Sequence, residues 1–178
     1  MLENVFMRDM GVPGITAQDG RRLEILATGL PLHRGVPLAV DASMVSPLHA
    51  DGRPWARADT VDGVGVRRAE DHKKTTYPEL AGSSVVRLTT VACEVGGRWS
   101  EASLTLLRGL AAARAREAPF PLRRATAGAW RARWLARLSV AQQDALAATL
   151  VDDGVVALDA PGAAGPSDVD VWVDGWAA

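Results

Sequence analysis

The order of apolar and polar positions predicts strands early in the chain and helices later. The strand segments are short, rich in Val, Ile, Leu and Thr, and bounded by Gly, Pro and Asp. The helical segments repeat apolar residues at intervals of three and four. The predicted strands are 4–10, 22–28, 37–45 and 85–95. The predicted helices are 61–76, 100–116, 122–138 and 139–151. This order indicates an α/β (α+β) fold, in which a mixed central sheet starts with an antiparallel hairpin and is flanked by helices.

Two polar signals mark the starts of the later helices. Ser100 precedes an apolar-periodic run and is a suitable N-cap. The sequence Ser139-Val-Ala-Gln142 has the spacing of a capping box, which predicts that a separate last helix opens there. For the helix over 61–76, Asp59 or Thr60 is the expected cap, and Pro78 marks its end.

Composition separates the chain into a body and a tail. From residue 152 onward there are six Asp and no Lys or Arg, among many Gly, Pro and Ala, so we predict a folded domain over 1–151 and an acidic tail over 152–178. Trp172 and Trp176 are candidates to dock the tail on the body. A single cysteine, Cys93, excludes an internal disulfide, and no apolar run approaches the length of a membrane span. With no secretory signal visible, an intracellular location is expected.

Basic residues concentrate in the helical part of the body. Residues 98–137 hold nine Arg against two Glu. Such a segment beside an acidic end is typical of contact with a polyanion, or of a basic surface masked by a tail. The alternative interpretation is a solvated helix surface. Arg123, Arg124 and Arg131 are the candidate contacts to a nucleic-acid backbone.

The first two long strands predict a close pair of carboxylates. If strands 22–28 and 37–45 pair symmetrically about their connecting loop, Ile25 faces Val40 and Ala27 faces Leu38. In that register Glu24 lies opposite Asp41. Facing like charges destabilise a strand pair, so a compensating cation is expected.

Lys73 is the candidate third member of this cluster. Val66, Ala69 and Lys73 share one face of the predicted helix, and an ammonium facing a sheet needs an anion. Two carboxylates and a lysine suit Mg²⁺-dependent phosphodiester hydrolysis, in which the acids hold the metal and the lysine stabilises charge. The alternative is that both acids are ordinary exposed strand residues and that Lys73 extends to solvent.

Several other residues that could take part in chemistry also have structural interpretations. Cys93 and the helically spaced pair Trp130 and Trp134 fit a core. Glu94 ends a strand beside Gly96-Gly97, where it is either a further metal ligand or a turn residue.

Four blocks of sequence carry a resemblance to a known family. They are Arg21-Arg-Leu-Glu-Ile-Leu-Ala-Thr-Gly-Leu-Pro, Leu38-Ala-Val-Asp-Ala-Ser-Met-Val-Ser-Pro-Leu, Ala69-Glu-Asp-His-Lys-Lys-Thr-Thr-Tyr-Pro-Glu-Leu and Glu94-Val-Gly-Gly-Arg-Trp. Together they resemble the C-terminal part of open reading frames that encode non-LTR-type reverse transcriptases. That region is similar to the restriction-endonuclease-like, PD-(D/E)XK superfamily. The resemblance covers roughly residues 4–151.

The resemblance implies a restriction-endonuclease-like core and a role for each of three residues. Glu24 matches the first acid, Asp41 the central acid, and Lys73 the lysine of an Ala-x-x-x-Lys-x-x-x-Tyr helix. Ser43 stands at the strand position where that lysine more commonly lies. The implied activity is Mg²⁺-dependent endonuclease cleavage of DNA, with RNA–DNA intermediates as further partners and the nucleus as the expected location.

One departure from the family keeps other interpretations open. Arg22-Leu23-Glu24 stands where the family has a Pro-Asp dipeptide. The alternatives are therefore a non-catalytic nucleic-acid-binding or interaction module, and a decayed retroelement fragment.

Overall fold

A four-stranded mixed sheet forms the centre of the domain. In the computed structural model of the chain, the backbone is described over residues 1–159 and side chains over residues 1–151. The strands are β1 (Leu2–Phe6), β2 (Arg22–Ala27), β3 (Leu38–Val45) and β4 (Arg87–Glu94), in the order β1-β2-β3-β4. The β1–β2 and β2–β3 pairs are antiparallel, and the β3–β4 pair is parallel. The predicted α+β class and the opening antiparallel hairpin are confirmed.

Helices connect and cover the strands. The helices are α1 (Val64–Thr76), α2 (Pro78–Ala81), α3 (Glu101–Ala115) and α4 (Arg123–Asp159). A parallel strand pair needs a long crossover, and the segment containing α1 and α2 supplies it between β3 and β4. Among the residues that the structure describes, no helix is long and apolar enough to cross a membrane.

The hairpin register agrees with the prediction over three residue pairs, but the predicted pairing of Glu24 with Asp41 is not part of the ladder. Ile25 pairs with Val40, Leu26 with Ala39, and Ala27 with Leu38. Because side chains alternate along a strand, this register decides which residues of β3 face the crossover helix. On β3, Ala39 and Val45 are buried in two apolar clusters, the second of which includes Val66 and Ala69 of α1.

Two predicted boundaries were wrong, and one predicted helix cap is confirmed. The first strand covers Leu2–Phe6 rather than 4–10. Helix α1 begins at Val64, after Gly63 in a left-handed conformation with φ of 71°, so neither Asp59 nor Thr60 caps it. Ser100 is confirmed as the N-cap of α3, because its hydroxyl accepts from the N–H of Ser103 at 3.1 Å.

The capping box at Ser139 does not open a helix. Residues on both sides belong to the continuous helix α4. Gln142, the other end of the box, is 5% exposed and donates to the carbonyls of Glu94 and Val95 at 3.3 and 3.1 Å. The Gln142 side chain therefore makes a tertiary contact and does not cap a helix start. Helix α4 also runs past the predicted tail boundary, while the predicted docking of Trp172 and Trp176 lies outside the described residues.

Candidate functional site

Strand β3 brings Asp41 to the buried face of the sheet. Asp41 is 3% exposed and lies between Ala39 and Ser43, which are also buried. In the parallel register it is paired with Thr90 of β4. A carboxylate this far from water requires a partner charge, because an unpaired buried ion is costly.

Helix α1 supplies that charge through Lys73. The Nζ of Lys73 lies 2.9 Å from Oδ2 of Asp41, and the two side chains are 19% and 5% exposed. Val66 and Ala69, at helical spacing from Lys73, are buried on the same face of α1. Packing of this apolar face against the sheet therefore fixes where the ammonium lies.

Glu24 completes the cluster from β2. The β2–β3 ladder ends at the Ile25–Val40 pair, and beyond it Oε2 of Glu24 accepts from the N–H of Ala42 at 3.0 Å. Glu24 is an exposed residue, but neighbouring atoms partly desolvate its carboxyl group, which raises its pKa above the ordinary value, and the Asp41 charge raises it further. The N–H of Ala42 and the ammonium of Lys73 act in the opposite direction. The structure therefore brings the three predicted side chains into one electrostatic neighbourhood.

The buried oxygen of Asp41 is held by the charge of Lys73. Oδ2 of Asp41 is buried and close to Lys73, but the contact lacks hydrogen-bond geometry. Mg²⁺ is commonly held by one or two carboxylates, with water and substrate phosphate completing its shell. The donor set of Glu24 and Asp41 fits such an ion. In the part of the chain that the structure describes, no group of three or more His, Cys, Asp or Glu side chains is placed to hold a metal.

Tyr77 is a member of the site to which sequence reasoning gave no role. It is 5% exposed, and its hydroxyl donates to the carbonyl of Arg22 at 2.6 Å. Burial, followed by the charge of Asp41, raises the pKa of the Tyr77 hydroxyl. The available signal was its place four residues after Lys73, directly after α1 ends, where the Ala-x-x-x-Lys-x-x-x-Tyr pattern has its tyrosine. Tyr77 joins the end of α1 to the strand that carries Glu24.

Arg21 provides a second link between the same elements. Its guanidinium lies 2.6 Å from Oδ2 of Asp19 and 2.8 Å from Oε1 of Glu79, and it donates to the carbonyl of Thr76. These two carboxylates raise the pKa of Arg21. These contacts connect the loop before β2 to the end of α1. Nothing in the local sequence indicated the ion pair between Arg21 and Glu79.

Glu94 is not part of the cluster. It pairs along the sheet with Val45, four residues beyond the Asp41–Thr90 pair, which is roughly 13 Å at strand spacing. Its Oε1 accepts from the N–H of Gly65 at 3.2 Å, and its Oε2 lies 3.3 Å from Arg98. Glu94 therefore accepts a hydrogen bond from a free backbone N–H at the start of α1 and pairs with Arg98. Its carboxylate is engaged in these contacts, away from Glu24 and Asp41.

The three predicted nucleic-acid contacts lie on another part of the molecule. Arg123, Arg124 and Arg131 are exposed at the start of α4. Arg123 also donates to the carbonyl of Ala118 at 3.1 Å. Helix α4 packs on α3 rather than on β2 or β3, so these arginines do not join Glu24 and Asp41.

A cavity of about 670 Å³ lies beside the cluster without containing it. It is bounded by α1, α2, β4 and α3, and its lining includes Glu70, Lys74 and Thr90. Glu24, Asp41 and Lys73 are not in that lining. The carboxylate cluster therefore does not lie in this cavity.

Comparison of the chain with protein-family models, with curated proteins and with solved structures found no match.

Proposed function

We propose that this chain is a Mg²⁺-dependent DNA endonuclease-like domain of retroelement origin, with Glu24, Asp41 and Lys73 as its catalytic residues. The observation that carries the proposal is the buried Asp41 carboxylate, which pairs with Lys73 at 2.9 Å and lies within the electrostatic influence of Glu24. The four blocks of sequence resemblance support the same assignment. The proposed partners are DNA and RNA–DNA intermediates, and the proposed location is the nucleus.

Each side chain has a role that its position allows. Glu24 and Asp41 would hold Mg²⁺ between β2 and β3. The bound ion supplies an activated water and a polarised phosphate. Lys73 contributes fixed positive charge where the phosphate oxygens gain negative charge, or orients the attacking water. Tyr77 positions α1 against β2 through its bond to the Arg22 carbonyl.

A charged lysine suits this task because it can serve two anions. An ammonium has three N–H donors, so Lys73 can stay near Asp41 while it donates to a phosphate oxygen. Its side chain is 19% exposed, which leaves a path to a substrate at the surface. A fixed donor in a partly dehydrated site contributes more to transition-state stability than one in water.

The rival function is a non-catalytic nucleic-acid-binding or interaction module. One observation favours it: Lys73 already neutralises Asp41, so the pair is a self-sufficient structural contact without a metal. Arg22-Leu23-Glu24 in place of the family's Pro-Asp dipeptide points the same way, toward an interaction module or a decayed fragment. The two functions differ in whether DNA is cut.

The deciding experiment is nicking of supercoiled plasmid DNA by the purified 178-residue chain. We expect nicking that needs Mg²⁺, stops with EDTA, and falls about 10²-fold or more in Asp41→Asn and in Lys73→Ala. Lys74→Ala is the matched control, because Lys74 pairs with Asp71 at 2.8 Å in an exposed contact on the same helix. Equal nicking by all four proteins would remove the assigned roles. DNA binding that weakens with salt, without cleavage, would establish the rival.

A further inference from the structure

The connection between α3 and α4 presents apolar side chains to solvent. Phe120 is 80% exposed and Leu122 is 56% exposed, and they lie in the segment Pro119-Phe-Pro-Leu122. Apolar side chains that are exposed together and bordered by polar residues are a mark of interaction sites, whereas isolated ones are common on any surface. We call residues 116–124 the α3–α4 tip.

The tip is held in one conformation by local contacts. Residues Phe120–Leu122 form a single 3-10 turn, closed by the N–H of Leu122 donating to the Pro119 carbonyl at 2.9 Å. Arg123 Nε donates to the Ala118 carbonyl at 3.1 Å across the same turn. The two prolines each fix a backbone angle. A preorganised contact point loses little conformational entropy on binding.

The exposed ring lies in a segment rich in positive charge. The tip contains Arg116, Arg123 and Arg124 against one acid, Glu117, which is paired with Arg114 at 2.7 Å. The guanidinium carbon of Arg123 lies 5.6 Å from the centroid of the Phe120 ring. Arg131 follows Arg124 by seven residues, or two helical turns, and extends the exposed basic face along α4.

We infer that the α3–α4 tip binds DNA, with Phe120 stacked against a base and Arg116 and Arg124 on flanking phosphates. An aromatic ring set among arginines is the arrangement by which proteins hold nucleic-acid strands without reading sequence. Apolar residues on basic loops also open base steps in duplex DNA. The choice of DNA as the polyanion rests on the proposed function. The binding itself does not need the Glu24, Asp41 and Lys73 cluster.

The test is fluorescence anisotropy of labelled DNA with the full chain in EDTA, over a range of salt concentrations. Single-stranded, intact duplex and mismatched duplex DNA form separate arms. We expect Phe120→Ala to weaken binding at least five-fold, with an unchanged slope of log affinity against log salt. The Arg116→Gln/Arg124→Gln double variant should lower that slope by about 1.5. Val140→Ala is the control, because Val140 is 60% exposed on α4 outside the tip.

The outcomes distinguish failure of the proposed DNA binding at the α3–α4 tip from failure of the proposed nuclease function. If Phe120→Ala and Val140→Ala both bind DNA as the parent does, or the parent binds none, the inference is overturned. Phe120-dependent binding to vesicles of phosphatidylcholine and phosphatidylserine, without DNA binding, would overturn it in favour of a membrane surface. If the tip variants lose binding while the parent shows no Mg²⁺-dependent nicking, the tip stands and the nuclease proposal fails. If the parent nicks and the tip variants bind normally, only the tip fails.

Discussion

The Lys73–Asp41 ion pair makes a strong prediction about stability. Lys73→Met keeps the aliphatic stem but removes the ammonium, which leaves Asp41 at 3% exposure without a counter-charge. At the observed 2.9 Å, an effective dielectric constant of 20 gives an attraction of about 6 kcal/mol, most of which offsets the desolvation of the two groups. Breaking a buried pair from one side costs about 3–5 kcal/mol. Because Lys73 is 19% exposed, we expect the lower end, about 3 kcal/mol.

Urea denaturation followed by circular dichroism measures this loss. With an m value of about 2 kcal/mol per molar, the midpoint of Lys73→Met should fall by about 1.5 M. Lys74→Met, which breaks the exposed pair with Asp71, should change stability by less than about 0.5 kcal/mol. The Asp41→Asn/Lys73→Met double variant should regain part of the loss, with a coupling energy of about 2 kcal/mol.

Mg²⁺ extends the same assay to the proposed metal site. If the ion binds beside Asp41, it replaces the missing ammonium and stabilises Lys73→Met by about 1.4 kcal/mol at ten times its Kd. The Asp41→Asn/Lys73→Met variant should not respond. A loss in Lys73→Met no larger than in Lys74→Met would refute the reasoning, because it would mean that water solvates Asp41.

Three further substitutions test the contacts around the site. Because the pKa of Glu24 is raised in the folded state, the folded protein binds a proton at Glu24 more tightly than the unfolded chain does. The free energy of unfolding should therefore fall as the pH rises from the ordinary pKa of a glutamate through the raised one. Glu24→Gln should flatten that slope and stabilise the metal-free fold slightly at pH 7, because Glu24 is exposed and water screens its charge. A slope in urea titrations from pH 4 to 8 that is unchanged or steeper would contradict this. Tyr77→Phe leaves the Arg22 carbonyl without its donor and should cost about 1–2 kcal/mol in thermal unfolding; an unchanged Tm would show that water replaces the hydroxyl. Ser103→Ala should lower the free energy of unfolding by about 2 kcal/mol in urea denaturation, because the buried Ser103 hydroxyl accepts from the N–H of Ala92 and donates to its carbonyl. An unchanged free energy of unfolding would disprove that link between α3 and β4.

The hairpin and its register were predictable because they depend on neighbouring residues. The loop over residues 28–37 joins β2 to β3, and pairing the strands symmetrically about its centre places apolar residues of one strand opposite apolar residues of the other. The observed Ile25–Val40 and Ala27–Leu38 pairs follow from that alignment. The place of Lys73 was predictable for a similar reason, since helical spacing joins it to the buried Ala69.

The helices after β4 show where local reasoning fails. The Ser139 to Gln142 spacing satisfies the rule for a helix start, yet Gln142 instead donates to carbonyls some 47 residues earlier in the chain. The flanking sequence has no proline to stop the helix, so helix formation continues through Ser139. Tyr77 and Arg21 were missed as supports of the site for the same reason. Their partners, Arg22 and Glu79, become neighbours only when α1 docks on the sheet.

Glu24 is the residue that separates a catalytic cluster from a structural one. A structural ion pair needs one acid and one base, and Asp41 and Lys73 already satisfy that need. Glu24 adds a second negative charge whose raised pKa marks it as unfavourable. Its bond to the N–H of Ala42 does not require a charge, because a glutamine oxygen accepts the same bond. A carboxylate kept there at a cost in stability is what a cation-binding site requires, so a Glu24→Gln variant that gains stability and loses its response to Mg²⁺ would support the catalytic function over the structural one.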